Sequence, residues 1–336
     1  MLHQNSCIKG LIVLNADAYD LVYGREWVAE ISRRITLIHP PLTASELHEK
    51  QELLSEVDVI FSGWGAPLMD EAFLLSAPRL KAVFYAAGSV KGFATEAFWS
   101  RDIAITSAYA QNAIPVAEYA LSVILLSLKQ FWYYANETRR LGKIPEKVRV
   151  AGAYRSRIGL ISLGVIARLL REHLRAFDVE VLVYDPYLSI EQAKGLDVKL
   201  ASLEELFETS DVVSLHTPWL KETENMIRGT HFQRMKSGAT FLNTARGAIV
   251  NEPEMIDALQ KRPDLTAVLD VTWPEPPVVD SPLYKLPNVV LTPHIAGSLD
   301  AECRRMGDLM IKEFDRWKSG ESLVGGITHK KMLTMA

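Results

Sequence analysis

The sequence predicts an α/β protein with two domains, each built on a parallel β-sheet covered by helices. Short apolar runs rich in β-branched residues recur along the chain, and helical patterns separate many of them. Such alternation is typical of parallel strands joined by crossover helices. The length of 336 residues exceeds the usual size of one domain, so two hydrophobic cores are expected.

The composition narrows the class of protein. Apolar residues make up 48% of the chain and charged residues 23%, as in ordinary globular proteins. The formal net charge is −4 and no basic stripe is evident, so neither nucleic acid nor a membrane surface is an expected partner. Cys7 and Cys303 lie far apart, which argues against a disulfide framework or a thiolate metal site. The apolar core of the amino terminus is too short for a signal peptide, so a cytoplasmic location is expected.

The first third of the chain predicts a flavodoxin-like unit. Strand candidates lie at residues 10–14, 35–38, 57–61, 80–85 and 103–106. Helical patterns at residues 44–56 and 69–76 separate some of them, which favours parallel strands. Two turns, SGWGAP at 62–67 and YAAGSVKG at 85–92, contain glycines that would let backbone N–H groups approach a ligand closely.

Two longer helices are predicted outside these strands. One runs from Gln111 to about Arg140, with Pro115 in its first turn. Aromatic residues 132–134 at its end form a patch of the kind that more often covers a core or a subunit interface than binds a ligand. The other helix begins with Ser298 as a candidate N-cap. Its apolar face is formed by Met306, Met310, Phe314 and Trp317.

Residues 157–189 predict a dinucleotide-binding unit. They follow the order strand, turn, amphipathic helix and strand, and Asp185 ends the second strand. In such a unit pyrophosphate meets backbone N–H groups at the helix amino terminus, and the acid accepts from ribose hydroxyls. Gly164 keeps the middle glycine of the turn, but Ser162 replaces the first, at a cost of about 1 kcal/mol if the turn needs a positive φ there. Because no Arg or Lys directly follows Asp185, NAD is preferred over NADP.

Three further apolar runs complete the second sheet, beginning near residues 239, 265 and 289. Polar residues follow each run, and the carboxyl ends of parallel strands share one edge of a sheet. The ionisable residues at these positions are Arg246, Asp270, Glu275 and His294. An imidazole beside a carboxylate suits proton transfer near pH 7, and an arginine can grip a carboxylate and polarise a carbonyl. Each residue taken alone is more often structural, but together they predict an acid/base site for a small carbonyl-bearing acid.

The segments NTARGAIVNE, LDVTWPEP and LPNVVLTPHIAGS resemble three signature segments of the D-isomer-specific 2-hydroxy acid dehydrogenase family. The resemblance implies that Arg246, Glu275 and His294 are the catalytic trio. It also implies a discontinuous substrate domain, residues 1–107 and 298–336, around a Rossmann-type NAD-binding domain at residues 108–297. In the family the region around the end of the long helix contributes to a subunit contact, so a homodimer is expected.

The resemblance assigns further roles by position. The loop Ala87, Gly88 and Ser89 is expected to hold the substrate carboxylate through main-chain amides. Trp64 is expected either to face the substrate or to pack against the neighbouring domain. The residues expected to contact the cofactor are Gly164, Val165, Ile166, Asp185, Thr217, Pro218, Thr223, Thr244, Ala245, Arg246, Asp270, His294 and Gly297. His216 is interpreted as structural, and no metal is required.

The predicted function is NAD-dependent interconversion of a 2-oxo acid and a D-2-hydroxy acid, with His294 as general acid and base. Two alternatives stay open. One is a non-catalytic, NAD-responsive binding protein on the same fold, of the corepressor kind. The other is a related NAD enzyme acting on a different small anion, such as formate or a phosphonate. Turnover of 2-oxo acids would separate the first interpretation from both alternatives.

Overall fold

The computed structural model describes residues 8–335, and Cys7 lies outside them. These residues form two compact units. Unit 1 comprises the described residues up to Asn112 together with Ser298–Met335, and unit 2 comprises Ala113–Gly297. The first boundary thus follows residue 112, slightly later than the predicted residue 107, and the second lies between residues 297 and 298.

Strands and helices alternate along most of the described chain. The strands are β1 (Lys9–Val13), β2 (Thr36–Leu37), β3 (Val59–Ser62), β4 (Ala82–Tyr85), β5 (Ala104–Ser107), β6 (Tyr154–Ile161), β7 (Asp178–Tyr184), β8 (Lys199–Leu200), β9 (Val212–Leu215), β10 (Thr240–Asn243), β11 (Thr266–Leu269) and β12 (Val289–Leu291). The helices are α1 (Ala16–Val22), α2 (Gly24–Ser32), α3 (Ala44–Glu49), α4 (Glu71–Ser76), α5 (Glu96–Trp99), α6 (Tyr109–Ser127), α7 (Phe131–Leu141), α8 (Val165–Leu174), α9 (Ile190–Gly195), α10 (Leu203–Thr209), α11 (Gly229–Arg234), α12 (Glu252–Lys261), α13 (Arg304–Ser319) and α14 (His329–Thr334). Short 3₁₀ turns lie at Gln51–Glu56, Gly247–Ile249, Pro282–Tyr284 and Asp300–Cys303.

Unit 1 contains a parallel sheet in the order β2-β1-β3-β4-β5, which is the flavodoxin-like order. All five strands fall on the predicted apolar runs. Helix α13 covers one face, and the ring of Phe314 lies 5.8 Å from that of Phe61 and 5.6 Å from that of Phe84. The predicted apolar face of α13 is confirmed. Its predicted N-cap is wrong, because a 3₁₀ turn separates Ser298 from the helix.

Unit 2 contains a parallel sheet in the order β12-β11-β10-β9-β6-β7-β8. Numbered within the unit this is the Rossmann order 3-2-1-4-5-6 with one more strand at the edge. Apolar cores lie on both faces. One includes Phe207, Phe232 and Phe241 from α10, α11 and β10, and the other includes Ala120 and Leu170 from α6 and α8. The predicted two-domain α/β class is therefore confirmed.

The long helix predicted from Gln111 to Arg140 is broken. Helices α6 and α7 are bent by 58° at Gln130, which has a left-handed backbone with φ of 55°. Pro115 lies inside α6 and not in its first turn. Among residues 8–335, no single helix is long and apolar enough to cross a membrane, and only the bent pair α6 and α7 passes the length and composition test together.

Candidate active site

Polar residues follow six adjacent strands of the unit 2 sheet in register. The last paired row comprises Tyr184, Ile161, Leu215, Asn243, Leu269 and Leu291. The next residues in the same strands are Asp185, Ser162, His216, Thr244, Asp270 and Thr292. We call these six residues the polar row. Because side chains alternate along a strand, residues at the same register position point to one face of the sheet.

His294 and Glu275 form the central pair of the candidate site. The imidazole Nδ1 lies 2.7 Å from the Glu275 Oε1, and both side chains are about half exposed. A carboxylate at this distance fixes the tautomer that carries a proton on Nδ1. The Nε2 of His294 makes no hydrogen bond to any described residue, so it is the atom free to exchange a proton with a ligand.

Arg246 follows β10 in a turn that Asn243 braces. The Asn243 Oδ1 accepts the Ala245 N–H at 2.9 Å, and its Nδ2 donates to the Arg246 carbonyl at 3.1 Å. Burial lowers the pKa of the Arg246 guanidinium and the charge of Glu275 opposes that shift, but the group stays protonated in proteins. The guanidinium of Arg246 therefore provides a positive charge close to Glu275.

Gly247 lets the turn of Arg246 pack directly on the loop that carries Glu275. A Cβ at this glycine would lie 2.0 Å from the carbonyl carbon of Thr272, so no other residue fits. The N–H of Trp273 donates to the Glu252 carboxylate at 3.3 Å, and burial raises the pKa of Glu252. Arg246 and Glu275 are thus held by one packed arrangement of backbone.

Asp270 ties down the loop that carries His294. Its carboxyl group is buried and accepts hydrogen bonds from the Thr292 hydroxyl at 2.6 Å, the Ile295 N–H at 2.8 Å and the Ala296 N–H at 2.9 Å. The His294 N–H donates to the Asp270 carbonyl at 3.0 Å. His294 itself has a positive φ of 56°, which costs a non-glycine residue about 1–2 kcal/mol. The contacts on both sides hold it in that conformation.

The turn after β6 leads into helix α8 and contains Ser162. Ser162 has a positive φ of 70°. A positive φ is the conformation in which a serine at this position was expected to cost stability. Its Oγ lies 2.9 Å from the Thr217 Oγ1. The Asp185 carboxylate accepts the Leu163 N–H at 2.8 Å and the Tyr187 N–H at 2.9 Å, which orients the acid at the end of β7.

We expect Ser162→Gly to be more stable than Ser162→Ala by about 1 kcal/mol. Both variants lose the contact with Thr217, so the difference between them isolates the positive φ. Urea unfolding of the two proteins measures it. Equal free energies of unfolding would contradict the expectation, because they would mean that the turn carries no backbone strain.

The amino terminus of α8 is open. Gly164 is its N-cap, and no side chain caps the helix. A Cβ at Gly164 would meet no atom within 4 Å, so the chain itself does not require glycine here. The N–H groups at the start of the helix, which begins with Val165 and Ile166, are therefore available to an anion.

Gly164→Ala should raise the dissociation constant for NADH by about tenfold. The added methyl group meets only the space in front of α8, so the midpoint of thermal unfolding should stay the same. Fluorescence titration with NADH measures the affinity. Gly195→Ala is the matched control, since a Cβ at this residue of α9 also meets nothing within 4 Å. Equal affinities of the two variants would contradict the expectation.

The remaining residues expected at the cofactor lie in the same edge of unit 2. The Thr223 hydroxyl donates to the Pro218 carbonyl at 2.7 Å and closes the turn after Thr217. The Thr244 Oγ1 is buried without a hydrogen-bond partner among the described residues. Gly297 follows the loop anchored by Asp270. These contacts show how the turns are shaped, and the cofactor roles stay predictions.

His216 is a partly buried member of the polar row. Its Nε2 lies 2.9 Å from the Ser214 Oγ, and its Nδ1 is buried without a partner in the described part of the chain. Burial lowers the pKa of the imidazole from 6.5 to about 4. A neutral ring bound to its own strand accords with the structural interpretation of His216.

The free energy of unfolding should fall as the pH is lowered from 6.5 towards 4, and His216 should account for about one bound proton of that slope. In the unfolded chain the imidazole takes up a proton below pH 6.5, whereas in the folded chain it does so only near pH 4. Above pH 6.5 the effect vanishes. Urea unfolding across this range should show a shallower slope for His216→Asn and an unchanged slope for the exposed control His48→Asn. If the two variants had identical slopes, His216 would not be the source of this pH dependence.

The predicted substrate contacts lie in unit 1, at the carboxyl ends of β3 and β4. The ring of Trp64 is partly buried against the cores of unit 1. The N–H groups of Ala87, Gly88 and Ser89 donate no hydrogen bond to described residues, and a Cβ at Gly88 would meet only the Asn112 side chain at 4.0 Å. Ala87 is fully buried, so Gly88 and Ser89 present the free donors that suit a carboxylate.

Sequence reasoning missed the residues that support the site. Asn243 could have been found, since an asparagine that ends a strand before a turn often bonds the backbone two residues on. Nothing in the sequence pointed to Tyr119, whose hydroxyl lies 3.0 Å from that of Thr292. Within residues 8–335, no three residues among His, Cys, Asp and Glu are placed to hold a metal ion.

Comparison with known proteins gives a family match. Residues 121–296, just over half of the chain, match the family model described as D-isomer specific 2-hydroxyacid dehydrogenase, NAD binding domain. The matched range contains both members of the His294 and Glu275 pair, Arg246, and the glycine turn with Asp185.

Individual relatives and solved structures agree with the family match. The chain is 35% identical to a D-3-phosphoglycerate dehydrogenase of Archaeoglobus fulgidus over 75% of its own length and 48% of the relative. It is 30% identical to a glyoxylate reductase of Korarchaeum cryptofilum over 80% of its length and 82% of the relative. The crystal structure of the TT0316 protein from Thermus thermophilus matches with a TM-score of 0.74 and 25% identity, covering 96% of this chain and 100% of that one. The chain spans about half the length of the phosphoglycerate dehydrogenases that it matches.

Proposed function

Because the chain belongs to the D-isomer specific 2-hydroxyacid dehydrogenase family, we propose that it interconverts a 2-oxo acid and a D-2-hydroxy acid, with NAD as its cofactor. Two features support the proposal that the protein binds NAD: the open amino terminus of α8 and the oriented carboxylate of Asp185. No Arg or Lys directly follows Asp185 in the sequence, which supports NAD over NADP.

The proposed chemistry assigns a separate task to each member of the trio. The bound cofactor supplies the hydride that reduces the carbonyl carbon. His294 donates the proton from Nε2 to the carbonyl oxygen, and takes it back when a hydroxy acid is oxidised. Glu275 accepts from Nδ1 and stabilises the imidazolium. Arg246 offers two parallel N–H groups to the substrate carboxylate and polarises the carbonyl.

One observation carries this proposal: the 2.7 Å contact between His294 and Glu275, which leaves Nε2 unpartnered among the described residues. A protein that only binds NAD needs no oriented acid/base pair at the carboxyl edge of its sheet. The free N–H groups of Gly88 and Ser89 further support an acidic substrate.

The test is NADH oxidation, followed by absorbance, against glyoxylate, hydroxypyruvate, pyruvate, phenylpyruvate and 2-ketoisocaproate, and repeated with NADPH. Turnover of at least one 2-oxo acid with NADH is expected. If none of the five acids is turned over but NADH still binds, the result would favour the NAD-responsive binding protein. Reduction of NAD+ with formate or a phosphonate, without turnover of any 2-oxo acid, would favour the enzyme acting on a different small anion.

The exposed face of α7 supports a homodimer. None of its residues is buried, and Phe131 and Leu141 are about 45% and 38% exposed. An eleven-residue helix with exposed aromatic residues is typical of a subunit contact. Sedimentation should show a dimer that Phe131→Ser weakens and Leu75→Ser, on α4, leaves intact. A monomeric parent protein would overturn this.

A cytoplasmic location, without nucleic-acid or membrane partners, stays a prediction from composition.

A further inference from the structure

A chain of hydrogen bonds connects helix α6 with the loop that carries His294. The Tyr119 hydroxyl lies 3.0 Å from the Thr292 Oγ1, which donates to the Asp270 Oδ1 at 2.6 Å. The Asp270 carboxylate then accepts the N–H groups of Ile295 and Ala296, the two residues directly after His294. All of these residues belong to unit 2.

The direction of the chain follows from the number of protons available. The Thr292 hydroxyl has one proton, and it is used in the bond to Asp270. The remaining contact with Tyr119 can form only if the phenol donates. Burial raises the pKa of Tyr119, and the negative charge of Asp270 raises it further, so the phenol keeps its proton. Every donor in the chain therefore points towards Asp270.

The orientation of the Asp270 carboxylate matters because this group accepts three hydrogen bonds. Oδ1 accepts from both Thr292 and Ile295, and Oδ2 accepts from Ala296. A rotation of the carboxylate about its Cβ–Cγ bond would break these contacts together. His294 would then be free to leave its positive φ, since backbone strain persists only where neighbouring contacts impose it.

We propose that Tyr119 is a positioning residue which, through Thr292, fixes the Asp270 carboxylate and so holds the imidazole of His294 in its working orientation. This rests on the proposed function, in which His294 exchanges a proton with the substrate. Helix α6 is a suitable anchor, because Ala117, Ala120 and Ile124 on the neighbouring turns are fully buried in the core of unit 2. The phenol thus transmits the rigidity of a buried helix to an exposed loop.

The first test is steady-state kinetics of Tyr119→Phe, which removes one oxygen and keeps the ring. We expect kcat to fall about tenfold while the dissociation constant for NADH stays within about twofold. Thr292→Val should lose at least as much, and the double variant no more than Thr292→Val, because both changes break one chain. Thr292→Ser should keep the activity. Tyr284→Phe is the control, since it also removes a phenolic hydroxyl of unit 2, but one that donates to the Pro277 carbonyl.

The second test does not depend on turnover. Hydrogen exchange in the cofactor-free protein should be faster in Tyr119→Phe at residues 292–297 and unchanged in the core strands. Unchanged kcat together with unchanged exchange would overturn the proposal, and so would a loss of NADH binding equal to the loss of kcat. If the parent protein reduces no 2-oxo acid, the proposed function fails, but the exchange experiment still decides whether Tyr119 holds the loop.

Discussion

His294→Asn should lower kcat for 2-oxo acid reduction by about a thousandfold and leave the dissociation constant for NADH almost unchanged. The asparagine keeps a polar side chain of moderate size but cannot act as an acid or base near pH 7. Stopped-flow or steady-state NADH oxidation measures kcat, and fluorescence titration measures NADH binding. His48→Asn, an exposed histidine on α3, should behave as the parent protein.

Two results would test whether His294 transfers a proton. Added imidazole should restore part of the activity of His294→Asn, because a small base can enter the half-exposed position that the ring occupied. A fall in kcat of less than about tenfold would contradict the role of His294, since proton transfer by a positioned group contributes far more than that.

Arg246→Lys should lower kcat/KM for the 2-oxo acid by about a hundredfold, and Arg246→Gln by about a thousandfold. Lysine keeps the charge but offers a single ammonium in place of a planar fork, so it cannot grip a carboxylate with two parallel hydrogen bonds. Glutamine loses the charge as well.

Steady-state kinetics at saturating NADH checks this order. The exposed Arg234→Lys on α11 is the control, and it should have parental kcat/KM. If Arg246→Lys were as active as the parent, the fork would have no part in binding the substrate. If it failed to bind NADH, the defect would lie in cofactor binding, through the side chain of Arg246 or the turn after β10, and not in substrate recognition.

The strands were predictable because each is a short apolar run buried on both faces. Residues 80–85, for example, contain all of β4, and residues 57–61 contain β3 except for its last residue, Ser62. The break between α6 and α7 was not predictable, because Gln130 adopts a left-handed backbone without the glycine that usually marks one. The two-residue strand β8 was not predicted either, because it is too short to produce a period of its own.

The chemical types at the candidate site were predictable from order and spacing, but their geometry was not. Arg246, Glu275 and His294 follow strands whose carboxyl ends had to share one edge. The contact between Tyr119 and Thr292 joins residues 173 positions apart, and no local pattern reports on such a pair. The positive φ of His294 was equally hidden, because it results from contacts made by its neighbours.

The late position of α13 in the chain has a consequence for synthesis on the ribosome. The rings of Phe61 and Phe84 are covered by Phe314, and Gly307 packs so closely on the end of α1 that a Cβ would lie 2.2 Å from the Val22 carbonyl oxygen. Domains generally fold as they emerge, so unit 2, which is continuous, can fold while unit 1 still lacks this helix. During that interval the nascent chain exposes an aromatic sheet face, and this is the stage at which a chaperone would be most needed.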